Sequence, residues 1–139
     1  MTATPAQALT EIALLFTTVY PATPLQLPNM EHVAPVDAGV LWASLELEHT
    51  SMAQGSLADN NGVRRYENDG IGTLGLRFKL GDGIKYPYEV ADDVASLYRG
   101  KRTPSDVWFR NVTIIERPDD RTRHYRLDVV FDFTYDQIS

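Results

Sequence analysis

From Arg123 to Asp136 the chain reads RHYRLDVVFDFTYD. Tyr125, Leu127, Val129, Phe131, Phe133 and Tyr135 alternate with His124, Arg126, Asp128, Val130, Asp132 and Thr134. Successive side chains of a strand leave opposite faces, so this spacing predicts a long strand with an apolar row on one side and a mostly polar row on the other. Such a row demands cover. Burying each of these side chains is worth about 1.5 to 3 kcal/mol, so the row offers roughly 10 kcal/mol before chain entropy opposes it. The other segments either cover that row or extend its sheet.

Thr4-Pro5-Ala6-Gln7 has the form of a capping box with proline at the first helical position. Leu9, Ile12, Ala13, Phe16 and Val19 or Tyr20 then recur at helical spacing, and Pro21 ends the run. Residues 21–39 carry Pro24, Pro28 and Pro35 and read as an extended connection. Val40 to Glu48 alternates as a first strand, with Leu41, Ala43, Leu45 and Leu47 opposite Trp42, Ser44, Glu46 and Glu48. Thr50 to Asp69 is polar and contains Asn60-Asn61-Gly62, which predicts a long hairpin arm or loop whose use is to reach a neighbour.

Ile71 to Leu80 alternates as a second strand, and a helix opened by Pro87 runs through Val90, Val94, Leu97 and Tyr98 to Gly100. Its early acids Glu89, Asp92 and Asp93 and late bases Arg99, Lys101 and Arg102 suit the helix dipole. A third strand over about 107–117 and a turn at Pro118-Asp119-Asp120 lead into the final strand. The expected fold is α+β: an antiparallel four-stranded sheet in α-β-β-α-β-β order, with two helices on one face and a hairpin arm over about 50–69. One domain over residues 1–139 is the default at this length. The other sheet face, with Glu46, Glu48, Arg77, Lys79, Arg126, Asp128 and Asp132, is expected to meet water or a wet interface.

Charge is uneven. Residues 1–63 hold six acids and no Lys or Arg, whereas residues 64–139 hold thirteen of each, so the net charge of −6 belongs to the first half. No long stretch has the basic surplus that phosphate binding favours, which argues against direct DNA binding. The absence of cysteine removes disulfides, thiolate metal sites and thiol nucleophiles. With Arg64 as the first basic residue and no apolar run of spanning length, the chain reads as a soluble protein made in the cytoplasm.

Gly70-Ile71-Gly72-Thr73-Leu74-Gly75 has the letters of a dinucleotide-binding turn, but it runs into a strand instead of opening a helix, so no cofactor is expected. His32, His49 and His124 lack metal-binding spacing, Asp92-Asp93 and Asp119-Asp120 are explained by a helix and a turn, and no serine sits in a nucleophile elbow. No catalytic or metal-binding residue is assigned. Aromatic and arginine residues are the usual anchors of protein interfaces. Trp108, Phe109 and Arg110, together with Arg64, Arg65 and Tyr66 of the arm, are therefore the expected subunit or partner contacts.

Arg65-Tyr66 ahead of Gly70, a helix closed by Gly100, the run Val107-Trp108-Phe109-Arg110-Asn111 and the ending Phe131-Asp132-Phe133-Thr134-Tyr135-Asp136-Gln137-Ile138 come together over nearly the whole chain. In these motifs and in element order the chain resembles the tail-terminator-like proteins of long-tailed phages. The resemblance implies a non-enzymatic virion protein at the head-proximal end of the tail. Such a protein forms a ring, typically a hexamer, that caps the tail tube, stops its polymerisation and offers a docking surface to the head connector. DNA would pass through its channel unbound, and Arg126, Asp128 and Asp132, or else the acids of the arm, are the expected channel-facing residues. A tail-tube subunit or head–tail stopper is the near alternative, and a small enzyme or ligand-binding domain the distant one.

Overall fold

A computed structural model of the chain describes residues 3–27, 42–54, 65–79, 83–117 and 124–138. Its elements are α1 (Pro5–Val19), β1 (Leu25–Gln26), β2 (Trp42–Gln54), β3 (Arg65–Lys79), α2 (Lys85–Tyr98), β4 (Trp108–Arg117) and β5 (His124–Ile138). They form one five-stranded sheet in the order β1-β2-β3-β5-β4. The four long strands pair antiparallel, but Leu25 and Gln26 lie parallel to Ala43 and Ser44.

The sheet is thus mixed and five-stranded, not the antiparallel four-stranded sheet expected from the sequence. The added strand lies in the segment read as an extended connection. Two residues are too short to show alternation, yet their backbone groups still need partners, and the β2 edge supplies them. The Ala43 N–H also donates to the Pro24 carbonyl at 2.9 Å.

The flanks of the expected arm extend the neighbouring strands. Ser51 to Gln54 pair with Asp69 to Tyr66, and β3 pairs in turn with β5 out to Arg65 opposite Ile138. Its flanks are therefore part of a three-stranded ladder; residues 55–64, with the expected tip, lie outside the described residues. The turn at 118–120 lies outside them as well.

The apolar row of β5 is the centre of the core. Leu127, Val129, Phe131, Phe133 and Tyr135 are buried with Leu74, Leu76 and Phe78 of β3, Ile12 and Phe16 of α1, and Val94 and Tyr98 of α2. Tyr98 stacks on Phe131 with ring centroids 4.5 Å apart and meets Phe109 edge-on at 5.2 Å. Its hydroxyl donates to the Ile12 carbonyl at 3.0 Å and so ties the two helices together. Burial pushes that phenol well above its ordinary pKa, which keeps the donor protonated.

Helix α1 starts as the sequence predicts. The Gln7 N–H donates to Thr4 Oγ1 at 3.2 Å, and the Thr4 N–H donates to Gln7 Oε1 at 2.9 Å. Helix α2 does not follow its expected charge logic. It begins at Lys85, so its first turn holds no acid and its last turn no base. Glu89 and Asp92 instead make loose, exposed pairs with Lys85 at 4.0 Å and Arg99 at 3.9 Å, an arrangement that contributes little.

The glycines of the dinucleotide-like motif have a packing role. Gly70 and Gly72 stand opposite Phe133 and Phe131 on the core side of β3. A Cβ on either would overlap the facing ring, so each aromatic side chain lies across bare backbone. Gly72→Ala is expected to lower the unfolding free energy by about 1 to 3 kcal/mol, read from the urea midpoint at unchanged slope. An unshifted midpoint would show that the Phe131 ring moves aside freely.

Candidate functional site

The helix-free face of the sheet is the surface on which the charged rows gather. Register brings Arg77 beside Arg126, Gly75 beside Asp128 and Ser44 beside Gly75 at one end. On the other flank of β5, Arg117 faces Arg126 and Ile115 faces Asp128, because a bulge between Arg110 and Thr113 shifts β4 by one residue. Asn111 takes up a positive φ of 54° there.

This end of the face is closed. Asp128 is 1% exposed and accepts from Arg117 Nε at 2.8 Å and Arg126 Nε at 2.7 Å. Arg77 is buried as well; it donates to Ser44 Oγ at 2.7 Å and stacks over the Trp42 ring at 4.2 Å. Space for these groups comes from Gly75, whose missing Cβ would sit 3.1 to 3.2 Å from Ser44 Oγ, Arg77 Nη1 and Asp128 Oδ1. Of the expected channel residues, Asp128 is therefore enclosed by cations of its own sheet. Arg126 is turned onto it, and Asp132 accepts from Asn111 Nδ2 at 2.7 Å.

The opposite end is open. Trp108 is 47% exposed, with the Arg102 guanidinium 3.6 Å above its ring, and exposed Arg110 donates to Thr134 Oγ1 at 3.3 Å. A cleft of about 500 Å³ runs past them, lined also by Glu67, Asp69, Asp106 and Asp136. Phe109 is 7% exposed and packs in the core against Phe131 at 5.3 Å, which leaves Trp108 and Arg110 as the surface members of that trio.

Tyr66 and Arg65 pair with Gln137 and Ile138 through β3, and Arg64 lies outside the described residues. Tyr66 shares strand parity with Gly70, so it leaves the helix side while Trp108 and Arg110 leave the other. Among the described side chains, Tyr66 therefore lies on the face opposite Trp108 and Arg110.

On the core side the half-buried His49 ring stands edge-on to Phe133 at 5.3 Å, and its Nε2 lies 2.6 Å from the Tyr135 hydroxyl. Burial pushes the imidazole below its ordinary pKa and the phenol above its own, a push that a hydrogen bond with Asn68 partly offsets at Tyr135. A neutral imidazole accepting the phenol O–H satisfies both groups. Glu11 is raised by burial but lowered more by hydrogen bonds from Ser105 and Thr103, the Ser105 N–H donating at 2.9 Å. These shifts each accompany a contact that joins elements of the fold. Among the described residues, no three or more His, Cys, Asp or Glu side chains are grouped to hold a metal ion.

No family model and no curated protein matches the chain. A solved structure of a protein whose name states no function is similar, with a TM-score of 0.59 at 18% identity over 94% of this chain and 92% of that one. That likeness shows a shared fold over nearly the full length.

Two expectations follow. Asp128→Ala leaves Arg117 and Arg126 without their shared anion and should cost about 2 to 3 kcal/mol in chemical denaturation, discounted because Arg117 is half exposed. Arg117→Met should cost about 1 kcal/mol or less, and equal losses would deny Asp128 its central place. For His49, the folded state takes up a proton less readily than the unfolded chain. Stability is therefore full above the unfolded pKa of about 6.5 and falls as pH drops through that value toward the lower folded one. Between about pH 7.5 and 5 the melting temperature should fall more in the parent chain than in His49→Gln, and parallel curves would show that His49 is not responsible.

Proposed function

We propose that this chain is a ring-forming structural protein of a phage tail, a terminator that caps the tail tube, halts its growth and presents a surface to the head connector. One observation carries the reading beyond the sequence resemblance. Among the described residues the sheet has one face without helices, and its two sides differ: β4 forms one edge, and β2, covered by the short β1 only at Ala43 and Ser44, forms the other. A molecule with two unlike lateral surfaces suits a head-to-tail contact, and repeated rotation closes such contacts into a ring.

Trp108 and Arg110 supply exposed aromatic and guanidinium groups of the kind that anchor protein interfaces. Negative charge over the first half of the chain accords with a conduit that DNA crosses without adhering. In this reading the protein is made in the host cytoplasm and ends in the virion, at the head-proximal end of the tail. Its partners are its own copies, the tube protein and the connector; it carries no cofactor and performs no catalysis.

The near alternative, a tube subunit or stopper, shares the same lateral logic and differs in whether stacking continues along the axis. Electron microscopy of a lysate in which this gene carries an early stop codon separates them. Overlong, headless tails are expected. Absence of tails would assign the chain to the tube or its initiation, and normal-length tails beside filled heads would assign it to joining.

A further inference from the structure

We infer that the contact between copies is made edge to edge, the outer side of β2 in one copy receiving the outer side of β4 from a second copy. This rests on the ring reading and specifies which surfaces form it. Beyond Ser44, β2 runs on to Gln54 with no strand on its outer side among the described residues. The outer side of β4 is likewise a sheet edge. Its first half is blunted, because Arg102 bridges to Trp108, the bulge follows Arg110, and Arg99 Nη2 donates to the Val112 carbonyl at 3.3 Å. The stretch from Thr113 to Arg117 carries none of these devices. Unpaired backbone along such edges is a template for another strand.

Direction and charge both select this junction. Strands β2, β3, β5 and β4 alternate in direction, so β4 runs opposite to β2. Rotation about an axis along the strands preserves each direction; β4 of one copy therefore meets β2 of the next as an antiparallel neighbour, and the ladder continues. The β2 strand holds Glu46 and Glu48 and no Lys or Arg, whereas residues 99–117 hold five Lys or Arg against two acids. Glu46 and Glu48 are exposed and leave the helix-free face, as do Arg110 and Arg117. In a joined sheet these rows become cross-strand neighbours of opposite sign.

The chain has no cysteine, so introduced pairs report the contact cleanly. Residues opposite each other across strands bring their Cβ atoms to about 4.5 to 5.5 Å, close to what a disulfide spans. The full chain carrying Glu48→Cys with Ile115→Cys or with Thr113→Cys is oxidised over a range of concentrations, and its covalent ladder and native mass are read. A ladder ending at one fixed number of copies is expected from at least one pair. In the same assay, Glu46→Lys with Glu48→Lys should weaken association roughly tenfold, and mixing with Arg110→Glu should recover part of it.

Monomer at all concentrations, or association that forms no cross-link and ignores the charge changes, overturns the edge contact. In the second case a ring of fixed size keeps the ring reading alive. A cross-linked ladder without an end supports the edge contact and overturns ring closure.

Discussion

The fold depends on how closely β5 can lie against β3. Phe131 and Phe133 cross the β3 backbone at Gly72 and Gly70, which brings the rings low enough for Tyr98 to stack on Phe131 and for Phe109 to meet both. Remove that close approach and the aromatic layer rises into the space of α2. The Tyr98 hydroxyl then loses the Ile12 carbonyl, the hydrogen bond that couples the helices over the sheet. Two residues without side chains thus set the height of the whole core.

A different constraint governs the other face. The bulge after Arg110 rotates the second half of β4 into phase with β5, so Ile115 and Arg117 leave on the same side as Asp128 and Arg126. Without that extra residue Arg117 would point toward the helices, and Asp128 would hold only Arg126. Gly75 makes room for the same group from the β3 side. A carboxylate at 1% exposure is tolerated because two guanidinium groups replace its water, and both retain some contact with solvent.

The large elements were legible because their signals are periodic. The β5 alternation, the Thr4–Gln7 capping box and the α1 stripe each appear where residue spacing places them. What failed was aperiodic or depended on register. Leu25–Gln26 is too short to carry a period, and it becomes a strand only because β2 lies beside it. Helix α2 starts at Lys85 instead of Pro87 and ends at Tyr98, which puts its acids past the first turn and its bases beyond the last. Phe109 looked like an interface aromatic because it stands between Trp108 and Arg110 in the sequence; strand parity sends it to the core. The Asp128 cluster could not be read at all, since it needs the bulge, the hairpin register and Gly75 together.

The two flanks of the sheet also constrain which assemblies are disfavoured. A two-fold dimer through β2 would set Glu46 and Glu48 against their own copies, and one through β4 would oppose Arg110 and Arg117 to a second set of arginines. Like charges directly across a strand pair are destabilising, and here they would lie on one sheet face with no intervening cation from β2 or anion from Arg110 to Ile115. Joining β4 to β2 removes both repulsions at once. Unequal charge on the two edges therefore favours a contact that repeats around an axis over one that stops at a pair.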